Sequence, residues 1–292
     1  MITIFTPTYN RKEYLSKLKK SLDEQTDKHF EWLIVDDGSC DGTEEEVKAW
    51  KRNVTDYKIK YTKQKNQGKH IAFNLGVKLA GYNWIICVDS DDTLDKNAVK
   101  IINHDIKTVS SKYIGIVYPR IMKNEPSKSR IWEKIDHSSV DIMELKDFYK
   151  IRESTIVMKK NIIQNIPFPK YDNEKFLAEG WLYQKLTYRG KFLALNKSFY
   201  IYEYLDTGLT KNIWKVWKEN PKGILEILKE KYKIVSLNYR GINEFIVKLK
   251  CIININSLCI ATGKNIFTET PSKFMSFICY LPSLYVFYTR YK

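Results

Sequence analysis

The stretch Trp84–Asp92 has the sequence WIICVDSDD and joins a short apolar run to three carboxylates. The run Ile85–Val88 carries no polar residue at alternate positions, which predicts a strand buried on both faces. Asp89, Asp91 and Asp92 follow at once, and carboxylates this close repel one another unless a cation lies among them. Oxygen ligands without a neighbouring His or Cys suit a hard divalent ion, Mg²⁺ or Mn²⁺. The alternative is a polar turn in which Asp92 caps the next helix.

Strands and helices alternate through residues 1–120. Apolar runs at Ile2–Phe5, Trp32–Val35 and Ile59–Tyr61 are separated by segments with apolar residues at helical spacing. This alternation predicts an α/β fold with a mainly parallel central sheet flanked by helices. Ligands of such sheets bind beyond the carboxyl ends of the strands. Three polar clusters lie at these predicted ends: Thr6–Asn10, Asp36–Ser39 and Asp89–Asp92.

The net charge and the cysteine content indicate which classes of binding partner and which cellular compartment to expect. The formal net charge of +15 favours phosphates, nucleic acid or an anionic membrane as partners. The 5 cysteines form no Cys-x-x-Cys pair, which favours reduced thiols over disulfides or a zinc site. Met1 leads directly into a predicted strand, so we expect a cytoplasmic protein. The most apolar tail segment, Phe274–Tyr288, is shorter than the ~20 residues that a spanning helix needs.

Four motifs together resemble those of family 2 glycosyltransferases with the GT-A fold. They are TPTYNR at 6–11, VDDGSxDGT at 35–43, NxGxxxAxNxG at 66–76 and DSDD at 89–92. The resemblance implies a GT-A domain with a helical C-terminal extension. It divides the chain into a nucleotide-sugar-binding half at 1–120, an acceptor-binding half at 121–215 and a basic amphipathic helical region at 216–292.

The resemblance assigns one side of the crevice to the nucleotide. Asp37, with Asp36 next in line, would recognise the base, usually uracil. Lys69 would reach the base or the diphosphate, with a point charge where relatives often carry the forked guanidinium of arginine. The segment expected to pack beside the base and ribose is formed by Thr6, Pro7 and Thr8.

The aspartate turn would hold the diphosphate and its metal. By resemblance, Asp91 binds Mn²⁺ or Mg²⁺ on the diphosphate, and Asp89 faces the ribose or the water shell of the metal. Ser90 belongs to the same donor-binding turn. Asp92 is either a third ligand or the cap of the following helix, and the cap is the favoured alternative.

The second half offers a candidate catalytic base. In similar enzymes an acidic residue that opens a helix here deprotonates the acceptor hydroxyl, and Glu179 is the best match, with Glu174 as the second choice. The alternative is that Glu179 only complements the dipole of the helix that follows. Lys211 follows a loop similar to the donor-closing segment of the family, where it would bind phosphate or remain a solvated lysine.

The resemblance implies a metal-dependent inverting hexosyl- or N-acetylhexosaminyltransferase. It would move sugar from a UDP-sugar to a hydroxyl of a glycan or lipid-linked acceptor in cell-surface polysaccharide synthesis. The basic C-terminal helices would either pack on the core, which is the more frequent role of such apolar stripes, or make peripheral contact with the anionic inner face of the plasma membrane. A sugar-phosphate nucleotidyltransferase is disfavoured because its glycine-rich loop is missing. A nucleic-acid-binding protein would explain the charge but not the aspartates, so no nucleic acid is expected as a partner.

Overall fold

The computed structural model describes residues 1–123, 130–151, 153–203 and 212–292. The chain forms two compact units, which interleave along the sequence. Unit 1 comprises Met1–Phe168 and Lys185–Tyr204, and unit 2 comprises Pro169–Gln184 and Leu205–Lys292. The boundaries at 120 and 215 concern donor and acceptor roles and stay predictions.

Unit 1 contains the sheet. Its strands are β1 (Ile2–Thr8), β2 (Phe30–Asp36), β3 (Lys58–Lys63), β4 (Trp84–Cys87), β5 (Thr93–Leu94), β6 (Gly115–Met122), β7 (Ser139–Val140), β8 (Ser154–Lys159), β9 (Phe192–Ala194) and β10 (Tyr200–Tyr202). Its helices are α1 (Lys12–Asp23), α2 (Thr43–Asn53), α3 (Lys69–Leu79), α4 (Ala98–Thr108), α5 (Arg130–Ile135), α6 (Ile142–Asp147) and α7 (Lys160–Ile163).

In the part of the chain that the structure describes, the sheet runs in the order β3-β2-β1-β4-β8-β6-β10-β5. Strand β9 pairs with β6 and β7 beside this path. Strands β1 to β4 pair in parallel, as the alternation of strands and helices predicts. Strand β8 runs antiparallel to both β4 and β6, so the sheet is mixed. The predicted α/β fold with a helix-flanked central sheet is confirmed.

The centre of the sheet is its most buried part. All seven residues of β1 and all seven of β2 are buried, because each strand has a neighbour on both edges and covered faces. Trp32 of β2 stacks on Trp50 of α2, with ring centroids 5.7 Å apart. A strand fixed along its whole length gives the residues at its carboxyl end a defined position.

Gly115 in β6 permits close contact between neighbouring strands. A Cβ atom at this position would lie 2.5 Å from the carbonyl oxygen of Val157 and 2.6 Å from a ring carbon of Phe192. We therefore expect Gly115→Ala to lower the free energy of unfolding by about 1–3 kcal/mol, as overpacked cores generally do. Urea unfolding measures the loss. Gly180→Ala is the control because a Cβ there has no neighbour within 4 Å, and equal midpoints for the two variants would contradict the prediction.

Unit 2 is helical. Helix α8 (Gly180–Thr187) begins in it, and the later helices are α9 (Ile213–Glu219), α10 (Pro221–Asn238), α11 (Gly241–Thr262), α12 (Ile266–Glu269), α13 (Lys273–Ile278) and α14 (Tyr280–Arg290). The core lies between α10 and α11, where Leu228 and Leu258 are buried. Among the described residues, α11 is the one helix long and apolar enough to cross a membrane by length and composition. The sequence predicted amphipathic helices in this region but took Phe274–Tyr288 as the most apolar segment, so the apolar character of α11 was missed. Of the most apolar window of α11, 39% is buried within the protein.

Candidate active site

The parallel register places the predicted clusters at one edge of the sheet. Thr8 at the end of β1 pairs with Asp36 at the end of β2, and Phe5 pairs with Cys87 at the end of β4. The backbone N–H of Asp37 donates to the carbonyl of Thr8 at 2.8 Å. Residues from three separate parts of the sequence therefore share one edge, as predicted from the order of elements.

Asp36, the last residue of β2, and Asp37, which follows it, are both buried and hydrogen-bonded. Asp36 accepts from the backbone N–H of Ser39 at 2.7 Å and from the hydroxyl of Tyr61 at 2.6 Å. Asp37 accepts from the Gln64 side chain at 2.7 Å and from the backbone N–H groups of Gln67 and Gly68 at 2.9 and 2.8 Å. Asp37 thus fixes the loop that leads into α3. A carboxylate can accept about four hydrogen bonds, so this role is compatible with a further contact to a base.

Thr6 and Thr8 of β1 differ in the hydrogen bonds of their hydroxyl groups. The hydroxyl of Thr6 accepts from the indole N–H of Trp32 at 3.0 Å. The hydroxyl of Thr8 is buried and has no hydrogen-bond partner within the described ranges. A buried hydroxyl without a partner carries a desolvation cost that a ligand can offset. Thr8 is therefore suited to meet a polar group of a ligand at the end of β1.

Two ion pairs hold the first carboxylates of the aspartate turn. The ammonium of Lys69 lies 2.6 Å from Oδ1 of Asp89. The guanidinium of Arg11 donates to Oδ2 of Asp91. All four side chains are partly exposed, between 21% and 45%. The turn thus combines acidic and basic groups that solvent and a charged ligand can reach.

Asp92 does not take the favoured role of helix cap. The strand β5 follows it directly, and the N-cap residue of α4 is Asn97, so the predicted helix cap is wrong. The Asp92 carboxylate is buried and accepts from the Tyr200 hydroxyl at 2.7 Å, while that hydroxyl accepts from the backbone N–H of Asp89 at 3.0 Å. Tyr200 thus ties the two ends of the turn together.

Arg120 completes this buried cluster. Its guanidinium carbon lies 4.2 Å from the centroid of the Tyr200 ring, and its Nη1 lies 4.0 Å from Oδ2 of Asp92. Burial and the nearby Asp89 carboxylate raise the pKa of Asp92 to about 7, although the Tyr200 hydrogen bond and Arg120 act in the opposite direction. Asp92 is therefore a buried residue that stabilises the turn, whereas Asp89 and Asp91 are accessible.

The accessible donor set fits a hard divalent metal that arrives with a phosphate ligand. Asp89 and Asp91 offer carboxylate oxygens. In the residues that the structure places, no group of three or more Asp, Glu, His or Cys side chains could hold a metal ion. Mg²⁺ is usually bound by one or two carboxylates together with substrate phosphates, which would supply the remaining ligands here.

In unit 2, the candidate base Glu179 directly precedes α8. Its Oε2 accepts from the hydroxyl of Tyr183 at 2.8 Å, one helical turn on. Glu174 has a different role, because its two carboxylate oxygens accept from the backbone N–H groups of Lys222 and Gly223 at 2.8 and 3.0 Å. These groups belong to the first turn of α10, so Glu174 caps that helix. Lys211 lies outside the described residues.

Helix α10 holds the segment that carries Glu179. The side chain of Asn220, which precedes the helix, accepts from the backbone N–H groups of Lys175 and Phe176, each at 2.9 Å. Glu226 accepts from the indole N–H of Trp181 at 2.6 Å and from the hydroxyl of Tyr171. Segment 171–181 is thus fixed at several points along α10.

Sequence reasoning missed three contributors to the site, Arg11, Arg120 and Tyr200. Arg11 stands inside the first motif, so its charge next to a strand end was a usable signal. Arg120 and Tyr200 lie in β6 and β10, and their partner Asp92 is 108 residues from Tyr200 along the chain. Nothing in the local sequence around either residue indicates that contact.

Comparison with known proteins covers most of the chain. The family model described as "Glycosyl transferase family 2" matches residues 3–166. Glycosyltransferase GlyA of Streptococcus pneumoniae is 28% identical over 232 residues, which are 75% of this chain but 32% of GlyA. The chain therefore spans about a third of that relative. The GalNAc(5)-diNAcBac-PP-undecaprenol beta-1,3-glucosyltransferase of Campylobacter jejuni is 27% identical over 239 residues, 78% of this chain and 73% of that protein.

A solved structure gives the same fold. S. aureus TarS 1-349 in complex with UDP matches with a TM-score of 0.58 at 21% identity, and the match covers 99% of this chain and 88% of that one. At this identity the likeness speaks for the fold. The family match extends over more than half of the chain and includes β1, β2, β3 and the aspartate turn. The chain therefore belongs to glycosyl transferase family 2 and has the GT-A fold.

Proposed function

We propose that the protein transfers a sugar from a nucleotide-diphosphate donor, UDP-linked, to a hydroxyl of a glycan or lipid-linked acceptor during synthesis of bacterial cell-surface polysaccharide. One observation carries the proposal: Asp89 and Asp91 lie at the strand ends with Lys69 and Arg11 beside them. In a member of this family, the carboxylates would bind the metal and the cations would bind the phosphate groups of the donor. The relatives cited above support the acceptor class, because one is named for a PP-undecaprenol-linked glycan.

On the donor side, Asp91 and Asp89 would hold Mn²⁺ or Mg²⁺ and Lys69 would meet the phosphates. When bound, the metal would act as a Lewis acid that stabilises charge on the leaving diphosphate. Asp37, Asp36 and the segment Thr6–Thr8 would border the base and ribose, and Ser90 would belong to the same pocket. The unpartnered Thr8 hydroxyl supports the position of the nucleoside.

On the acceptor side, Glu179 would take the proton from the attacking hydroxyl. A single carboxylate beside the acceptor, opposite the leaving group, is what an inverting displacement requires. Glu174 is less suited, because both of its oxygens cap α10. Assignment of the anomeric configuration of the product by NMR tests inversion, and retention would exclude this role for Glu179.

Donor binding is tested with a thermal-shift panel of UDP, GDP, CMP and dTDP, each with and without Mn²⁺. A ligand that binds only the folded state at ~100 times its Kd adds about 2.7 kcal/mol of stability. We expect a shift with UDP that requires Mn²⁺. A shift with another nucleotide would change the donor class, and no shift with any nucleotide would overturn the proposal.

The C-terminal helices support peripheral membrane contact. Six large side chains of α13 and α14 are 57% to 75% exposed: Phe274, Phe277, Ile278, Leu281, Tyr285 and Tyr288. The opposite face is buried and small, with Ser276, Cys279 and Ser283. No acidic residue occurs in 271–292, where Lys273, Arg290 and Lys292 add positive charge. Outward aromatic residues flanked by cations suit the interface of an anionic bilayer.

We expect the triple variant Phe274→Ser, Phe277→Ser, Leu281→Ser to lose about tenfold or more of its partition onto phosphatidylglycerol vesicles, since each side chain contributes about 1.5–3 kcal/mol when buried. Vesicle co-sedimentation measures the loss. The matched control replaces three exposed apolar residues of unit 1, Leu79, Phe148 and Tyr188. Equal partition of wild type and the triple variant would contradict the membrane contact.

A further inference from the structure

Arg11 occupies a position that its neighbours fix. It follows Asn10, whose side chain accepts from the backbone N–H of Cys40 and whose own N–H donates to Ser39 Oγ, both at 2.8 Å. These bonds join the turn after β1 to the turn after β2. Arg11 directly precedes α1, and its guanidinium donates to Asp91 in the aspartate turn that follows β4.

Each carboxylate proposed for the metal is thus paired with a cation of the protein. Arg11 holds Asp91 and Lys69 holds Asp89. A metal ion that approaches alone meets carboxylates whose charge is already neutralised. A metal that arrives with a diphosphate brings phosphate oxygens, and a guanidinium binds these with two parallel hydrogen bonds.

We infer that Arg11 is a counter-charge shared between two partners, Asp91 in the donor-free enzyme and the donor diphosphate in the loaded one. The inference rests on the proposed function, since it assumes a metal and a nucleotide at this turn. When the diphosphate draws Arg11 away, Asp91 regains its full charge for the metal. Metal and nucleotide therefore bind cooperatively, and each raises the affinity for the other by the same factor.

This role gives Arg11→Gln two effects of opposite sign. Without nucleotide, the variant binds Mn²⁺ more tightly, by up to about fivefold, because an accessible ion pair no longer competes. With Mn²⁺ present, the variant binds UDP about 10- to 100-fold more weakly, because a charged hydrogen bond to phosphate is lost. A purely structural residue would weaken both affinities together, and an uninvolved residue would change neither.

Electron paramagnetic resonance titration measures Mn²⁺ affinity without nucleotide, and isothermal titration calorimetry measures UDP affinity at saturating Mn²⁺. The control is Lys12→Gln, which removes the same charge from the next residue, where the ammonium faces Glu46 at 3.9 Å. Thermal unfolding verifies that all variants are folded. We expect tighter Mn²⁺ and weaker UDP binding in Arg11→Gln alone.

Failure of this inference is separable from failure of the proposed function. If Arg11→Gln weakens both affinities, or changes neither, while Asp91→Asn abolishes Mn²⁺-dependent UDP binding, the shared counter-charge is overturned and the donor site stands. If Asp91→Asn also binds Mn²⁺ and UDP like the wild type, the donor site itself is overturned.

Discussion

Asp91→Asn is expected to lower kcat/KM for sugar transfer by about a thousandfold. A metal that stabilises the leaving group is worth several kcal/mol, and each 1.36 kcal/mol corresponds to a factor of ten. An asparagine keeps the size of the side chain and one oxygen but removes the charge that pairs with Arg11. The measurement is the rate of sugar transfer as a function of Mn²⁺ concentration. We expect the Mn²⁺ concentration for half-maximal rate to rise and the maximal rate to fall.

Asp92→Asn provides the contrast within the same turn. The Asp92 carboxylate is buried against Tyr200, and its pKa is raised to about 7, so an uncharged side chain reproduces its protonated form. The asparagine oxygen can still accept the hydrogen bond from Tyr200. We expect Mn²⁺ dependence close to that of the wild type, and equal losses in Asp91→Asn and Asp92→Asn would contradict the different roles assigned to the two residues.

Glu179→Gln is expected to lower kcat by about 10²- to 10⁴-fold, which is the usual contribution of a general base. UDP affinity should stay unchanged, because the proposed donor contacts come from other residues. The glutamine can still accept the hydrogen bond of Tyr183, so the local structure of α8 should persist. Steady-state kinetics with separate titration of UDP measures both quantities.

Two further variants test whether the loss of activity is specific to Glu179. Asp172→Asn removes an exposed carboxylate from the same segment and should keep full activity. Glu174→Gln should lower the free energy of unfolding by about 1–3 kcal/mol, because one oxygen that accepts from α10 becomes an amide donor. If Glu174→Gln rather than Glu179→Gln lost activity without losing stability, Glu174 would replace Glu179 as the candidate base.

The sequence predicted the parts of the fold that local pattern decides. The apolar run Ile85–Val88 includes the centre of β4, where Ile85 and Ile86 are buried and the strand pairs with β1 and β8, and the aspartates follow the end of this strand. The antiparallel direction of β8 could not be predicted from the sequence, because strand direction depends on how distant segments pair. The apolar character of α11 was missed because its polar residues, such as Asn254 and Asn256, interrupt the apolar run.

Within the candidate site, the sequence predicted which residues belong to the site better than it predicted their hydrogen-bond and ion-pair partners. The aspartates and Lys69 were identified from their motifs, and the structure brings Lys69 to Asp89. The favoured helix-cap role of Asp92 was wrong, because a cap is a local feature whereas the partners of Asp92, Tyr200 and Arg120, come from distant strands. The capping role of Glu174 on α10 escaped notice for the same reason, since 48 residues separate it from Lys222.

The interleaving of the two units limits how this chain can be recombined with its relatives. The chain passes from one unit to the other after residues 168, 184 and 204, and the family match ends at residue 166. A single crossover near residue 204 would therefore separate segment 169–184 from α10, although Glu174 of the segment caps α10 and Glu226 of α10 accepts from Trp181 of the segment. A chimera with a relative should therefore fold only when segments 169–184 and 205–292 are exchanged together, because the hydrogen bonds between them join two separate parts of the sequence.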